Sequence, residues 1–309
     1  MEYWIRYGLN WLKKKVDYME NGYADLHIHT NESDGTFSPE EVLEHASECN
    51  LKAIAITDHD SVTAINPAVR IARQYGIEII PGVELTTYTP DDIEIHILAY
   101  CFDYHKTQFL EKLDLLKKGR LQRAEEIISR LNKAGIDISV SDVTALSGKG
   151  AVGRMHIARA LVGKKYVKTI PDAFRKYIGK GRIAYAKKWT LSPDEIMDFI
   201  SSAGGISVLA HPGILGRDRL IPWLIKAGLQ GLEVYHSDHS PTDVKRYISL
   251  ARKNNLLITG GSDCHCIGKG KMLIGKIKIP YHLVAKLKEG AGKQDRQGKY
   301  NNTGIKDGY

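Results

Sequence analysis

The chain has 309 residues, of which 43% are hydrophobic, and this is enough apolar sequence to form a sizeable folded core. It contains neither a run of about 18 apolar residues nor a basic segment leading into an apolar one at its start, so we expect no transmembrane segment and no secretory signal. The four cysteines are too scattered to indicate a disulfide framework, which favours a cytoplasmic protein.

The formal net charge is +8, and the positive charge is unevenly distributed. From Lys164 to Lys188 there are nine lysine and arginine residues, opposed only by Asp172. Such a run is usually a solvated surface. Where it lies over an active site, however, it predicts an anionic substrate.

The first 22 residues predict an amphipathic helix. Apolar side chains recur along one helix face, at Ile5, Leu9, Leu12, Val16 and Met19. We expect the helix of residues 1–22 to pack against the outside of the domain or against a neighbouring subunit. Binding to a membrane surface is the alternative.

From residue 23 the sequence alternates short apolar strands with amphipathic helices. Seven strands are predicted, at residues 25–29, 53–57, 77–80, 93–99, 205–210, 231–235 and 256–260. Capping boxes that start at Ser38 and Ser192 predict the beginnings of two helices. Because strands separated by helices form parallel sheets, this pattern indicates a closed or nearly closed β/α barrel over residues 23–290.

Two segments depart from this alternation. Residues 104–190 contain a long helical pattern at 106–135 and a second, basic helical stretch at 151–159, so we predict a helical insertion there. Beyond residue 290 the sequence is rich in Gly, Lys, Asn and Gln, which indicates a flexible tail over residues 291–309.

The first strand carries the first candidate metal ligands. His27 and His29 alternate with Leu26 and Ile28, so both imidazoles point to the same side of the strand. Two imidazoles on a face that normally carries aliphatic side chains indicate a shared divalent metal, with an ordinary polar pair as the alternative. The later strands favour the metal, because nearly all of them end in a residue that can bind one.

Short motifs rich in these residues recur along the whole chain. They are His27-Ile28-His29, Ser33-Asp34-Gly35-Thr36, Thr57-Asp58-His59-Asp60, Pro81-Gly82-Val83-Glu84, Ala210-His211-Pro212 and Gly261-Ser262-Asp263-Cys264-His265. In type and order this set resembles the motif series of the PHP (polymerase and histidinol phosphatase) family. The resemblance implies an α/β fold, a distorted (β/α)7 barrel with a helical insertion, and a metal-dependent phosphoesterase with up to three metal ions.

The resemblance also implies a set of ligands for each ion. They are His27, His29, Glu84 and Asp263 for the first, Glu84, His96 and His211 for the second, and Asp34, His59 and His265 for the third. Some family members carry histidine at the position of Asp34, so the third site is expected to be weaker or to hold a different ion. Mixed imidazole and carboxylate ligands favour Mn²⁺, with Zn²⁺ or Fe²⁺ as alternatives, and we expect two or three divalent ions.

We expect Glu84, His211 and Asp263 to act directly in catalysis, because they hold the ions that activate water and neutralise phosphate oxygens. This chemistry needs no phosphoenzyme. Ser33 and Ser262 are therefore predicted to be turn or supporting residues and not nucleophiles.

Several other residues allow two interpretations. Asp58 and Asp60 could orient His59, or they could be solvated acids in a loop. Tyr185 and Trp189 could offer stacking surfaces for a nucleobase, or they could be packed in the interior.

The insertion points to a class of phosphate ester. Residues 153–159 resemble the family branch that hydrolyses 3′,5′-nucleoside bisphosphates and trims RNA from its 5′ end. We predict that Arg154 binds a second phosphate and that His156 and His239 also contact the substrate. The alternative is a basic helix that packs on the barrel, with Arg159 facing solvent.

The predicted function is hydrolysis of phosphate monoesters of nucleotides, and of 5′-phosphorylated oligoribonucleotides. The alternatives are a small-metabolite phosphatase of the histidinol phosphate type and a non-catalytic, metal-stabilised accessory module. The expected partner is a phosphorylated nucleotide or a short RNA, with no stable binding of duplex nucleic acid. We expect a monomer or a homodimer.

Overall fold

The computed structural model of the chain describes residues 22–148, 150–266 and 272–302, of which residues 294–302 are described by their backbone. Residues 1–21 of the predicted N-terminal helix lie outside the described residues. Within the described part, no helix is both long and apolar enough to cross a membrane.

The described strands form one sheet of eight. Their bounds are β1 Tyr23–Ile28, β2 Leu51–Ile56, β3 Glu78–Tyr88, β4 Glu94–Tyr100, β5 Ile206–Leu209, β6 Gly231–His236, β7 Leu257–Gly261 and β8 Ile279–Pro280. They lie side by side in the order β7-β6-β5-β4-β3-β2-β1-β8. The end of β1 also meets the segment after β7, where His29 N donates to Cys264 O over 2.9 Å. The sheet therefore nearly closes into a barrel, as predicted.

The sheet is not entirely parallel, which corrects the sequence prediction. Strand β4 runs antiparallel to both β3 and β5, and β8 runs antiparallel to β1. Strand β3 extends beyond its predicted end as far as Tyr88, and the short turn to Glu94 makes a hairpin where a parallel pair would need a long crossover. As a result, His96 lies within β4 opposite Thr86 and not after the carboxyl end of a strand.

Helices surround the sheet. Their bounds are α1 Pro39–Glu48, α2 Ile65–Ala72, α3 Thr107–Lys133, α4 Val140–Ser147, α5 Arg154–Gly163, α6 Ile170–Ala173, α7 Pro193–Ser202, α8 Pro212–Leu215, α9 Ile221–Lys226, α10 Pro241–Lys253 and α11 Tyr281–Asn302. Both predicted capping boxes are formed, at Ser38 and at Ser192. Helix α11 continues past Gly290, so the predicted flexible tail is helical as far as Asn302.

Helices α3 to α6 connect β4 to β5 and contribute to an apolar cluster of their own. Ile127, Leu131 and Ile157 are buried in that cluster. The first part of α3 packs elsewhere, because Phe109 and Leu113 are buried in the main cluster of the barrel. Helix α3 therefore belongs to both apolar clusters, and it holds the inserted helices against the barrel.

Candidate metal centre

The two histidines of the His27-Ile28-His29 motif meet two carboxylates at one end of the barrel. His27 and His29 are fully buried, and their Nε2 atoms are 3.2 Å apart. His27 Nε2 is 3.6 Å from Glu84 Oε2 and 3.5 Å from Asp263 Oδ1, while His29 Nε2 is 3.3 and 3.2 Å from the same two oxygens. The structure thus gathers the four ligands predicted for the first ion around one point.

Glu84 lies at the centre of the site and presents its two oxygens to different groups. Oε1 is 2.8 Å from His96 Nδ1 and 3.2 Å from His211 Nε2, the ligands predicted for the second ion. Oε2 faces His27 and His29 and is 2.9 Å from His59 Nδ1. Burial acts to raise the pKa of Glu84, but the surrounding imidazoles hold that pKa well below its usual range. This arrangement is what a carboxylate bridging two ions requires.

The third group forms around Asp34. Asp34 Oδ1 is 3.1 Å from His265 Nε2 and 3.9 Å from His29 Nδ1, and Asp34 Oδ2 is 4.0 Å from His59 Nε2. Burial acts to raise the pKa of Asp34, but His265 and His59 hold it well below its ordinary value. All nine predicted ligands therefore lie in one connected cluster, which we call the nine-residue cluster. Their assignment to individual ions stays a prediction.

The chemistry of the cluster fits bound divalent ions. Asp34 Oδ1 and His59 Nδ1 are buried and have no hydrogen-bond partner among the described residues, although each lies close to another ligand atom. Buried polar atoms of this kind are costly unless something satisfies them. Ligands that share an ion at about 2.0–2.2 Å lie about 2.8–3.6 Å from one another, from octahedral to tetrahedral geometry. The separations of 3.2 to 3.6 Å in the first group match that spacing.

Two ligands adopt backbone conformations that are uncommon for residues other than glycine. The φ angle is 31° at His211 and 52° at Asp263. Positive φ costs free energy in an L residue and is concentrated at functional sites. Here it turns each side chain back over the end of the barrel immediately after a strand.

Glu233 on β6 supports the cluster and was not predicted from the sequence. It is fully buried; its Oε1 is 2.9 Å from His27 Nδ1, and its Oε2 accepts a hydrogen bond of 2.8 Å from His211 N. A carboxylate on the second ring nitrogen fixes the orientation and tautomer of a ligating histidine. The sequence signal was present, since Glu233 interrupts the apolar run of a buried strand.

His236, at the end of β6, is a second residue that the sequence did not single out. Its Nε2 is buried, has no hydrogen-bond partner in the part of the chain that the structure describes, and lies 3.7 Å from Asp263 Oδ2. Its Nδ1 accepts a hydrogen bond of 3.1 Å from Asp238 N. The ring is therefore held with its other nitrogen directed towards the cluster.

Asp58 is buried, so it is not a solvated loop acid. Its carboxylate accepts hydrogen bonds from Thr30 N at 2.7 Å, Thr30 Oγ1 at 2.5 Å and Ser33 Oγ at 2.5 Å. Burial raises the pKa of Asp58 to about 6. Asp58 thus holds the loop that carries Asp34, and it makes none of these bonds to His59.

Asp60, also buried, leads to a group of cations that the insertion contributes. It contacts Arg120 and Lys188, both of them buried. Arg123 is buried nearby, and burial, together with the charges of Arg154 and Arg120, lowers the pKa of Arg123 to about 10. We call Arg120, Arg123, Arg154 and Lys188 the cationic cluster.

Glu94 connects the cationic cluster to the nine-residue cluster. Its Oε1 is 2.7 Å from Arg154 Nη2 and 3.4 Å from His96 Nε2, and its Oε2 accepts a hydrogen bond of 3.2 Å from Tyr88. Glu94 and Asp60 together offer two negative charges against the three arginines of the cluster, to which Lys188 adds when it is protonated. The excess of positive charge favours an anionic ligand beside the metal centre.

A cavity of about 260 Å³ opens beside the nine-residue cluster, and Glu94 on its lining pairs with Arg154 of the cationic cluster. His96 and His211 form one wall, Glu94 lies at its edge, and Ile214 and Leu215 supply an apolar side. The cavity has therefore both the charged and the apolar surfaces that an organic phosphate ester needs.

His156 and His239 were predicted to contact the substrate, but neither of them lines the cavity. His156 is buried, and its Nδ1 accepts a hydrogen bond of 3.0 Å from Gly153 N at the start of α5. His239 lies 2.9 Å from Val234 O through Nδ1 and accepts from Gly213 N at 3.0 Å through Nε2. His239 is engaged through both ring nitrogens and His156 through one, and their contacts with substrate stay a prediction.

In the alternative interpretation of the basic helix, Arg159 would face solvent. The structure differs, because Arg159 Nη2 donates a hydrogen bond of 2.6 Å to Asp34 O. Arg159 thus ties α5 to the loop that carries a predicted ligand.

Comparison with known proteins gives consistent matches over most of the chain. It is 35% identical over 248 residues to the 5′-3′ exoribonuclease Rnm of Escherichia coli strain K12, and the match covers 78% of this chain and 84% of that protein. It is 32% identical over 257 residues to a 3′,5′-nucleoside bisphosphate phosphatase of Chromobacterium violaceum, with 81% and 90% covered. A structure from Bifidobacterium adolescentis, assigned as a metal-dependent phosphoesterase, has a TM-score of 0.80 and 30% identity, covering 86% of this chain and 96% of that one.

The family model described as the PHP domain matches residues 25–184 of the 309. That range contains the first six predicted ligands in the chain, and the structure joins them to the three that follow it. The chain belongs to the PHP domain family and is a metal-dependent phosphoesterase.

Proposed function

We propose that this chain hydrolyses a phosphate ester of a nucleotide that carries two phosphates, a 3′,5′-nucleoside bisphosphate, or of the 5′-phosphorylated end of a short RNA. The observation that carries the proposal is that Glu94, which lines the cavity beside the nine-residue cluster, contacts both His96 of that cluster and Arg154 of the cationic cluster. One phosphate would bind at the metal centre and the other near Arg154. The names of two relatives, a bisphosphate phosphatase and an exoribonuclease, support these substrates.

The protein's own residues provide the framework for direct hydrolysis. Divalent ions, when bound, lower the pKa of water and neutralise phosphate oxygens. The two nearby serines are engaged within the protein, since Ser33 Oγ donates to Asp58 and Ser262 Oγ donates to His27 O at 3.4 Å. The serines are therefore not free to attack, and we propose water as the nucleophile, with no phosphorylated side chain.

The apolar side of the cavity suits the nucleoside. Ile214 is 55% exposed and lies beside His211, where a sugar or base would cover it. Binding energy from the nucleoside and the second phosphate positions the reacting phosphate and can raise kcat as well as lower KM. A substrate with one phosphate and no nucleoside would lack both contributions.

The ligand set supports two or three divalent ions per chain, with Mn²⁺ as the first candidate and Zn²⁺ or Fe²⁺ as alternatives. Elemental analysis of the purified protein measures both the number and the identity of the ions. A protein with no stoichiometric metal and full activity in chelator would contradict the metal-dependent mechanism.

The substrate is tested with a panel: adenosine 3′,5′-bisphosphate, adenosine 5′-monophosphate, a 5′-phosphorylated oligoribonucleotide, histidinol phosphate and an aryl phosphate. We expect the highest kcat/KM for the bisphosphate or the oligoribonucleotide. A clear preference for histidinol phosphate would favour the small-metabolite alternative.

In ¹⁸O-labelled water, a single turnover should place the label in the released phosphate, and a trapped phosphoenzyme would contradict direct hydrolysis.

A further inference from the structure

A second and larger concavity lies outside the cavity of the metal centre. It has a volume of about 760 Å³ and runs between residues 88–90, at the β3–β4 turn, and residues 187–195, with Trp223 also on its wall. We call it the outer groove. We infer that the outer groove binds the nucleotides of a single-stranded RNA that follow the reacting one, an inference that rests on the proposed function.

The indole of Trp189 is the first observation. Trp189 lines the outer groove, and 53% of its surface is exposed, so interior packing does not explain this side chain. Its backbone and ring edge lie against Gly119 of α3, where an added Cβ would be 2.8 Å from Trp189 O and 3.5 Å from Cε3. The close approach at a glycine holds the indole against a rigid helix and leaves a face open to the groove. A fixed, exposed aromatic face is the usual platform for an unpaired base.

The charge around the groove is the second observation. Lys187 Nζ lies 4.6 Å from the centre of the Tyr88 ring and 2.6 Å from Asp92 Oδ1 at the groove's edge. Of the nine cations in the Lys164 to Lys188 stretch, Lys188 is buried, whereas Lys180 and Lys187 are exposed and both pair with Asp92 in the β3–β4 turn, so two cations face one carboxylate there. Surface cations beside an aromatic platform are the combination that binds single strands.

Acidic residues restrict where the phosphates can lie. Asp194 and Glu195 line the far part of the groove in the first turn of α7. Glu195 is occupied there, because it accepts a hydrogen bond of 2.7 Å from Ser192 N. The sugar-phosphate chain is therefore expected to pass on the Lys187 side, with a base directed towards Trp189.

The groove adjoins the site of the second phosphate. Tyr88 lines the groove, and its hydroxyl donates to Glu94, which in turn binds Arg154. A strand whose first nucleotides occupy the inner cavity could thus continue past Tyr88 onto Trp189. A mononucleotide would end before the groove, and a duplex could not stack its paired bases on the indole.

The inference is tested by replacing Trp189 with alanine in the full chain. The probes are a 5′-phosphorylated pentauridylate with a 3′ fluorescent label, whose binding is followed by anisotropy in chelator, and adenosine 3′,5′-bisphosphate, whose hydrolysis is measured with metal. Trp189→Ala should weaken pentauridylate binding roughly 5- to 150-fold, the range expected for one lost stacked base. The kcat/KM of the bisphosphate, which does not reach the groove, should change less than about twofold, and this also shows that the variant folds.

Two further variants sharpen the result. Trp189→Phe keeps an aromatic face and should restore much of the binding. Ile183→Ala removes an apolar side chain that is 64% exposed but does not line the groove, and it should have no effect. Unchanged pentauridylate binding in Trp189→Ala, or an equal loss with both probes, would overturn the inference. Failure of the wild-type protein to hydrolyse either substrate would instead overturn the proposed function.

Discussion

Two groups of buried charged side chains meet at the same end of the barrel, and they are built in different ways. The nine-residue cluster comes from strands and from the turns that follow them, and its imidazoles surround three carboxylates. The cationic cluster comes from α3, from α5 and from the segment that returns to the barrel after the insertion. It sets four cations against the two carboxylates of Asp60 and Glu94.

The difference separates the chemistry from the choice of substrate. The barrel holds groups that suit any phosphate ester, because they bind ions and not the remainder of the substrate. The insertion, with its own apolar cluster, adds an excess of positive charge a few ångströms away through Glu94. If this division is correct, changes in the first cluster should affect all substrates equally, and changes in the second should affect some substrates far more than others.

The largest effect is expected from Asp263→Ala. This change removes the carboxylate that lies within 3.5 Å of both His27 and His29. We expect loss of bound metal and a fall in kcat of more than about 100-fold, beyond the roughly 10- to 100-fold typical of residues that only support ligands. Metal content by elemental analysis and turnover of every substrate in the panel are the measurements.

Asp238→Ala is the matched control for Asp263→Ala. Asp238 is an exposed carboxylate in the loop after β6, and its backbone, not its side chain, bonds His236. It should retain metal and activity. Full metal content in Asp263→Ala would show that Asp263 does not belong to the centre.

Arg154→Ala, in contrast to Asp263→Ala, should affect the substrates unequally. A charge-assisted contact contributes about 1.5–3 kcal/mol, so kcat/KM for the bisphosphate should fall roughly 10- to 150-fold. An aryl phosphate, which needs only the metal centre, should be hydrolysed almost as before. Rising salt should reproduce part of the effect, because part of the attraction is long-range and screened.

Arg130→Ala provides the control, since Arg130 is exposed on α3 and pairs with Glu126 at 2.7 Å, away from Glu94. It should leave both substrates unaffected. If Arg154→Ala slows the bisphosphate and the aryl phosphate equally, the arginine is a structural partner of Glu94 and the assignment of the second phosphate is wrong.

The two clusters also differ in how far the sequence could predict them. Eight of the nine ligands lie in short local motifs, His96 being the exception, and the resemblance carried by these motifs predicted both the barrel and which residues would come together. Arg120 and Arg123 lie at helical spacing between Leu116 and Ile127, so the apolar period of α3 does place them on its buried face. What their guanidinium groups meet there depends on how α3 packs between two apolar clusters, a tertiary property that the sequence does not show.

His96 in the barrel and His156 in the insertion show the same limit of prediction from sequence. The strand of His96 was predicted, but its antiparallel direction depends on the length of the β3–β4 turn and on the pairing with β5. His156 stands in a motif that suggested a substrate contact, yet its Nδ1 accepts a hydrogen bond from the amide of Gly153. Residue type and spacing indicate which chemistry is available, and only the packing decides which atoms remain free to perform it.

A smaller effect is expected from Glu233→Gln, which keeps the shape of the side chain but removes its charge. Glu233 holds His27 Nδ1 at 2.9 Å and the backbone of His211 at 2.8 Å, so the change should weaken metal binding or activity about 10- to 100-fold. Titration of metal into the stripped protein measures the affinity. Glu78→Gln, at the start of β3 and paired with Lys288, is the control and should bind metal normally. Equal metal affinity in the two variants would remove Glu233 from the centre.

The last prediction concerns the effect of the buried cationic cluster on the free energy of unfolding. Burial lowers the pKa of Lys188 from 10.5 to about 7, although Asp60 acts to raise it. Between about pH 7 and 10 the unfolded chain therefore binds a proton that the folded chain has released. The free energy of unfolding should then rise with pH, by up to ~1.4 kcal/mol per pH unit from this residue.

Lys188→Met removes that contribution, so the wild-type protein should gain stability relative to the variant as the pH rises from 7 to 9. Urea unfolding at constant metal content measures the difference, and Lys187→Met, at an exposed neighbouring position, should show no such slope. A flat difference for Lys188→Met would mean that the lysine keeps its proton at pH 9 within the pair with Asp60. The slope, if found, would show that Lys188 releases its proton when it is buried beside Asp60, so that above about pH 7 the arginines, and not this lysine, supply the positive charge of the cationic cluster.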